Sequence, residues 1–383
     1  MVPTYGIDQR FSFAYLRRYV SQSERSCKQS GDVYNVDRTL VPDRVSRMLN
    51  YIFRRILLMI PTFIGITLML FLIVRFAPGL TGGGAFGEGG MRDTQESRLE
   101  AEKSMLRKLG MLDKNDNKIS PPIQYIRWLW RAVRLEFGDS IRYNMPVSKL
   151  IIERVWITAT INFLSILVVY LLAIPGGLLA AVKRGKWFDQ SWGFFTIALF
   201  SLPVIWIGSL SIALLANPRQ FNWFPSGGIH SIDTTGMSNF AYAMDFAWHL
   251  ILPVAVMSLG SFAYLSKLMR ASLLDNLHME YARTARAKGV SQFRVVMYHV
   301  FRNSLLPLIT VIAGIVPGLI GGSVVIEKIF SIPGMGQLAF NAVLARDLPV
   351  LQAVTFIGTV LTLFFLLLRD LCYALIDPRV SYD

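Results

Sequence analysis

Charged residues and cysteines are both scarce in this chain of 383 residues. Only 17% of its residues are charged, against roughly 25% in an average soluble domain. The two cysteines, Cys27 and Cys372, are too few for a disulfide scaffold, and we expect neither a disulfide nor a metal site from them. Apolar residues make up 53% of the chain, which excludes an intrinsically disordered protein. Together these features favour a membrane protein.

The apolar residues are gathered into six blocks, each long enough to cross a bilayer, which takes about 20 residues as helix. No Asp, Glu, Lys or Arg lies inside any of these blocks. We therefore predict an all-α polytopic membrane protein with six transmembrane helices, an enlarged external segment after the first and a cytoplasmic loop between the fourth and fifth. The predicted spans are 56–74, 157–182, 191–216, 250–266, 305–326 and 350–368.

Two further absences bear on how such a protein is driven. A charge at mid-membrane costs roughly 2.5–3.5 kcal/mol; proton-coupled carriers and voltage sensors accept that cost, whereas these spans carry no charge. The motif G-x-x-x-x-G-K-[ST] is also missing, so the chain has no P-loop with which to hydrolyse nucleotide. Energy would then come from a partner. A secondary carrier or channel that works without an ATPase is the alternative; an intramembrane enzyme is disfavoured because the spans lack paired polar residues.

The orientation in the membrane follows from the basic residues of the short loops. With the N-terminus inside, loops 183–190 and 267–304 hold ten basic residues, whereas loops 217–249 and 327–349 hold three. Short cytoplasmic loops carry an excess of Lys and Arg, so both termini are predicted to be cytoplasmic. The net charge of +14 is then largely a topology signal.

The order of polar and apolar stretches predicts four regions. Residues 1–50 form a polar cytoplasmic tail, 51–76 contain the first transmembrane helix, 77–155 form the external segment, and 156–383 contain the other five spans. The external segment opens with a glycine-rich run at 79–90, which is typical of a flexible connection.

An amphipathic helix is predicted at 122–137, within the external segment. Its apolar residues fall on one face and three arginines on another. This pattern is typical of a helix in the headgroup region of a membrane, and a helix packed on a small external subdomain explains it equally well. The apolar face consists of Ile123, Ile126, Trp130, Val133 and Phe137.

The loop 267–304 is long and patterned. Residues 268–288 are rich in Ala, Leu, Met and Arg and predict a first helix, with Gly289 as its left-handed C-terminal cap. Ser291 is placed to cap a second helix over 291–303, whose apolar residues recur at helical spacing. Two short helices would meet at a glycine, a shape that suits docking into another protein or lying on the membrane surface.

The same loop carries a resemblance to a known family. YARTARAKGVSQFRVVMYHVFRNSLLPLI (281–309) resembles the cytoplasmic signature loop of permeases of ATP-binding-cassette (ABC) importers, specifically those of the oligopeptide/dipeptide branch. The general pattern of E-A-A, three residues and G falls on Arg283, Thr284, Ala285 and Gly289. Arg283 and Thr284 depart from the general Glu and Ala but fit the peptide branch, which has R-T-A-R-A-K-G.

Shorter motifs extend the resemblance over nearly all of 51–383. FGDS, WFPSGG, EKIFSIPGMG, RDLPVLQ and DLCYALIDPR occur in the order of the family around the six spans. Residues 1–47 lie outside the resemblance, and the glycine-rich run looks like an insertion. The enlarged outer segment is reminiscent of the microcin C-type subgroup.

The resemblance implies a permease subunit that translocates peptides across the bacterial inner membrane and is not itself an enzyme. The implied partners are a homologous second permease, two cytoplasmic ABC ATPases, an external solute-binding protein and the lipid bilayer, with no nucleic acid. This chain would bind no cofactor, because ATP and magnesium belong to the ATPases. Dipeptides, oligopeptides, nickel, glutathione and peptide antibiotics all stay open as substrates.

The resemblance also implies a coupling helix that sits in a groove of the ATPase. Its small residues would keep it slim, and its basic residues would pair with acidic groups of the groove. Ordinary positive-inside charge is the alternative explanation of these basic residues. The implied coupling residues are Tyr281, Ala282, Arg283, Thr284, Ala285, Arg286, Ala287, Lys288 and Gly289.

Other candidate sites are weaker. The four histidines, at positions 230, 249, 278 and 299, are scattered without ligand spacing, so no metal site is predicted. Three alternatives stay open for FSIPGMGQLAF (330–340): an outer gate, a docking surface for a binding protein, and a plain connecting loop. No catalytic residue is assigned, and no substrate-binding residue stands out.

Overall fold

The computed structural model describes residues 40–76, 110–113, 115–315 and 322–376, with single positions at 100, 103, 106 and 107. The chain divides into two units, 1–54 with 382–383, and 55–381. The described part of the first unit is helical. The predicted tail before residue 40 and the glycine-rich run 79–90 lie outside the described residues.

The described secondary structure is helical almost throughout. The first half contains α1 (Leu40–Phe76), α2 (Pro121–Val133), α3 (Val147–Val182), α4 (Trp187–Ser201), α5 (Val204–Leu215) and α6 (Asn239–Leu277). The second half contains α7 (Glu280–Ala287), α8 (Gln292–Arg294), a π-helical segment (Val295–Val300), α9 (Phe301–Ser304), α10 (Leu306–Ile315), α11 (Val324–Ile329), α12 (Met335–Leu344) and α13 (Leu348–Ile376).

The apolar helices confirm an all-α polytopic membrane protein. Five helical stretches of the described chain are long and apolar enough to span a membrane, and the pair α4 and α5 makes a sixth if it is one bent span. Two predicted boundaries shift: α3 begins at Val147, ahead of the predicted region boundary at 156, and α6 extends the predicted span 250–266 to Asn239–Leu277. The Ser238 hydroxyl caps the start of α6 by accepting from the Ala241 N–H.

The predicted third span, 191–216, falls on two helices, α4 and α5. α4 and α5 are bent by 96° at a short break. Proline disfavours the helical conformation in the residue before it and lacks an N–H of its own. Leu202, which precedes Pro203, is accordingly extended, with φ −82° and ψ 128°.

The predicted boundary between the second loop helix and the fifth span falls at the right place, but the stretch across it, Gln292–Ile312, is long and apolar enough to be one membrane span. The helix that begins at Gln292 passes through the π-helical segment and α9 before a single turn residue, Leu305, leads into α10. The Ser291 side chain makes no capping hydrogen bond. The predicted span 305–326 is not one helix either, because Gly322 and Ser323 are non-helical and α11 follows as a separate short helix.

The amphipathic helix α2 buries a different face from the one predicted. Trp128 and Ala132 are buried against Phe71 of α1 and Phe356 of α13. Four residues of the predicted apolar face point outward, with Trp130 60% exposed, whereas Phe137 lies beyond the end of α2 and packs half-buried against Phe356. Trp128 and Phe356 make an edge-to-face contact with ring centroids 6.1 Å apart. The helix therefore packs on the transmembrane helices and still presents an apolar surface.

The main core lies between α3 and α6, which pack along each other. Near the C-terminal end of α6 it contains Met269 and Leu273, both fully buried, together with Ala181 of α3. Residues of α7 and the π-helical segment belong to the same cluster. This shared core positions the loop whose residues the sequence singles out.

Candidate coupling site

The predicted first loop helix, 268–288, is two helices. α6 continues to Leu277, and α7 begins at Glu280 after a break at His278 and Met279. The Met279 carbonyl accepts the N–H groups of Ala282 and Arg283, which start α7. The implied coupling residues up to Ala287 thus lie on a separate helix of eight residues, followed by Lys288 and Gly289.

Gly289 ends α7 in the predicted left-handed conformation, with φ +76°. Its N–H donates to the Arg286 carbonyl at 2.9 Å, and the Val290 N–H donates to the Ala285 carbonyl at 3.2 Å. This pair of bonds is the Schellman motif, which satisfies the last carbonyls of a helix. A Cβ at Gly289 would meet no atom within 4 Å, so backbone conformation alone favours glycine here.

The alanines of α7 do not share one role. Ala282 is 0% and Ala285 8% exposed, and both pack into the chain's own core. Ala287 is exposed. Ala282 and Ala285 therefore seat α7 on the rest of this chain, and of the three alanines only Ala287 is exposed to a partner.

The remaining α7 side chains form an exposed face with mostly local partners. The Arg283 guanidinium pairs with the Glu280 carboxylate at 3.0 Å, and both side chains are well exposed. Arg286 donates from Nε to the Gln292 side chain at 3.2 Å. The Tyr281 hydroxyl donates to Asn276 at 2.6 Å. Surface ion pairs of this kind contribute little stability, so these local contacts hold the exposed cations only weakly.

Packing connects α7 to two neighbouring segments. The buried side chains of Val295, Val296 and Val300, in the π-helical segment, lie in the same cluster as Ala282 and Ala285. The Ser272 hydroxyl of α6 donates to the Ser304 carbonyl at 3.0 Å. α7 therefore packs with the π-helical segment, and α6 is bonded to α9 just beyond that segment.

An ion pair fixes the neighbouring loop 183–186 to α6. Arg270 of α6 donates to Asp189 of α4 through Nε at 2.6 Å and Nη2 at 2.8 Å. The second carboxylate oxygen also accepts the Gly185 N–H at 2.9 Å. Two-pronged Arg–carboxylate pairs fix geometry as well as adding energy. Sequence inspection counts Arg270 only as a positive-inside charge and misses this role.

Two of the scattered histidines meet at one carboxylate. Asp245 of α6 lies 3.1 Å from His230 Nδ1 and 3.4 Å from His249 Nδ1, and it accepts the Ser231 N–H at 2.9 Å. His230 and His249 also line an open cavity of about 520 Å³. His249 is separated from Asp245 by one helical turn, a spacing visible in the sequence, whereas His230 depends on the fold of the intervening loop.

The stretch 330–340 does not stay an extended connection. Its second half belongs to α12, whose Leu338 is fully buried, and the helix packs on the start of α3. Of the three sequence alternatives, a plain loop is excluded for this part of the chain.

The chain is similar to known transport proteins. The family model for the inner membrane component of binding-protein-dependent transport systems matches residues 173–382. The oligopeptide transport system permease protein AppB of Bacillus subtilis is 36% identical over 88% of this chain and 100% of that protein. The peptidoglycan transport system permease protein YejB of Agrobacterium fabrum is 34% identical over 87% of this chain and 98% of that protein.

A solved structure is similar at lower identity. A chain of the inward-facing MetNI methionine ABC transporter shares 16% identity over 60% of this chain and 97% of its own length, with a TM-score of 0.46. The family match covers the loop with α7, and the relatives extend the similarity over nearly the whole chain. The chain therefore belongs to the family of inner membrane components of binding-protein-dependent transport systems, within the peptide ABC permease branch.

Proposed function

We propose that this chain is the permease subunit of an ABC importer that carries peptides across the cytoplasmic membrane after delivery by an external solute-binding protein. One observation carries the coupling part of this proposal: α7 is seated on the permease core by Ala282 and Ala285 while its basic face stays exposed. The names of the relatives, an oligopeptide and a peptidoglycan transport permease, support peptides as the substrate class.

The proposed assembly contains a second, homologous permease and two cytoplasmic ATPases. The absence of a P-loop from the sequence supports placing ATP and magnesium on those partners. An ATPase groove would contact four exposed residues: Tyr281, Arg283, Thr284 and Lys288. The buried Ala282 and Ala285 would transmit the movement of the ATPase into the permease. Closure of the ATPases around ATP then turns the two permeases outward.

The proposed orientation places both termini and α7 in the cytoplasm. It rests on the excess of basic residues in loops 183–190 and 267–304. Residues 77–155 and 217–238 would then face the outside, where the binding protein docks.

Copurification tests the coupling proposal. The change Arg283→Glu reverses one charge on the exposed face of α7, and the matched control Arg294→Glu makes the same change on exposed α8. The permease would be purified from membranes with its coexpressed partners, and the ATPase measured per permease. We expect Arg283→Glu to lose ATPase at least tenfold and Arg294→Glu to retain it. Equal retention in both variants would contradict the proposal.

A further inference from the structure

Glu327 is a buried carboxylate in the stretch between α10 and α13. It lies on α11 and is 3% exposed. Its Oε1 accepts the Thr158 hydroxyl of α3 at 3.0 Å, and its Oε2 accepts the Gln337 N–H at 2.7 Å. Burial raises the pKa of the Glu327 carboxyl, and the hydrogen bonds from Gln337 and Thr158 oppose that rise.

One of the two groups bonded to Glu327, the Gln337 N–H, belongs to the first turn of α12. Helix N-termini leave their first N–H groups without partners inside the helix. In α12 the Met335 N–H donates to the Thr158 hydroxyl at 2.8 Å, and the Gln337 N–H donates to Glu327. Thr158 thus accepts from α12 and donates to Glu327. The cap of α12 is built from side chains of two other helices, α3 and α11.

The surrounding backbone is shaped to admit this carboxylate. A Cβ at Gly334 would overlap the Glu327 carboxyl carbon, and one at Gly322 would lie 2.5 Å from Oε1. Gly322 also has φ +70°. A side chain at either position would displace the carboxylate from α12.

The C-terminal end of α12 is also fixed, through Asp347. The Asp347 N–H donates to the Ala342 carbonyl at 2.8 Å, and the buried Asp347 carboxylate accepts the Ser140 hydroxyl at 2.5 Å. Between the two ends, Leu338 of α12 packs with Val147 of α3, and both are fully buried. α12 is therefore held at its start, along its length and at its end.

The helix that carries Thr158 also reaches the α7 site. α3 runs from Thr158 to Ala181 without a break, a distance of about 35 Å at 1.5 Å per residue. Ala181 shares its buried cluster with Ala282 and Ala285. A single continuous helix, with Pro175 inside it, thus shares a core with α7 near one end and bonds the capped helix α12 near the other.

We propose that Glu327 is a positioning residue of transport: with Thr158 it locks α12 to α3, so that α12 and the far end of α3 move as one body when α7 is displaced. This inference rests on the proposed function for its role in transport. Whether α12 is locked to α3 is a structural question that can be tested without a substrate.

Substitutions of Thr158 test the lock in transport. Thr158→Val removes the shared hydroxyl at nearly constant volume, Thr158→Ser keeps it, and Thr160→Val makes the same change on α3 where the hydroxyl bonds only within its own helix, to the Trp156 carbonyl. Uptake of radiolabelled trialanine and pentaalanine is measured in cells, with complex yield and ATPase of the purified complex alongside. We expect Thr158→Val to lose uptake at least tenfold at normal yield and basal ATPase, with Thr158→Ser and Thr160→Val near the parent.

A thiol probe tests the lock without a substrate. In a background with Cys27→Ser and Cys372→Ser, Leu338→Cys places a thiol at a fully buried position of α12, and Leu344→Cys at one that is 64% exposed. The complex is labelled with maleimide in nanodiscs, because nanodiscs leave both sides of the membrane open to the reagent. We expect Thr158→Val and Glu327→Gln to speed labelling at position 338 at least fivefold and to leave position 344 unchanged.

Each outcome bears on a different claim. Unchanged protection of position 338 in Thr158→Val and Glu327→Gln would overturn the lock, whether or not uptake falls. Faster labelling with parental uptake would overturn its role in transport. If the parent itself takes up neither peptide, the proposed substrate class fails, while the labelling result still decides the lock.

Discussion

At the scale of single residues, the clearest division lies between two alanines of α7. Ala282 is fully buried in the permease core, whereas Ala287 is exposed. We predict that Ala282→Leu destabilises the protein by about 1–3 kcal/mol through overpacking, and that Ala287→Leu leaves its thermal stability unchanged but weakens ATPase association. Thermal unfolding and copurification of the two variants provide the measurements. Equal melting temperatures would show that Ala282 is not packed as described.

Gly289 supplies a second test at this scale. Its left-handed conformation costs a residue with a side chain roughly 1–2 kcal/mol, and β-branched residues fit it worst. We predict that Gly289→Val inserts normally but loses ATPase association and uptake, whereas Gly289→Asn, which tolerates this conformation, keeps most of both. Gly185→Val is the control, because Gly185 has φ +73° with open space around it but lies on the other loop. Similar losses in both valine variants would indicate a general folding defect.

At the scale of helices, composition predicted which long helices exist better than it predicted where they begin and end. The uncharged apolar runs located four of the five long helical stretches, whereas the fifth, Gln292–Ile312, contains Arg294 and Arg302 and begins before the predicted span 305–326. Periodicity did not reveal the break at His278 and Met279. One unbroken helix over 268–288 and two helices that meet at His278 have the same pattern of apolar residues. Pro203 was the visible signal for the bend between α4 and α5, and treating 191–216 as one apolar block concealed it.

The candidate site was predictable where local chemistry decides. A glycine after an Ala- and Arg-rich helix predicts a left-handed residue that ends the helix, because glycine adopts that conformation without strain. Gly289 has this conformation. Which alanines face inward depends on where α3 and the π-helical segment lie, and no local pattern contains that. The same limit applies to Glu327 and Thr158, which are 169 residues apart and meet only through tertiary packing.

At the scale of the whole molecule, the 96° bend between α4 and α5 makes topology the deciding measurement. If the pair is one broken span, a reporter after Gly185 and one after Gly236 lie on opposite sides of the membrane. If it is a re-entrant hairpin, both lie on the same side. We predict the first outcome, with Gly185 and Asp383 cytoplasmic and Gly236 external. If the reporters at 185 and 236 both read as cytoplasmic, the chain has five spans and its two termini lie on opposite sides of the membrane.

The two faces of α7 also define what can be exchanged between transporters. Ala282 and Ala285 are matched to this chain's own interior, whereas the positions around Arg283 and Lys288 face outward. If α7 docks into an ATPase as proposed, a permease and its ATPase can diverge together at the outward positions without repacking the bundle. Redirecting this permease to the ATPase of another importer would then require grafting a handful of surface side chains onto an unchanged helix.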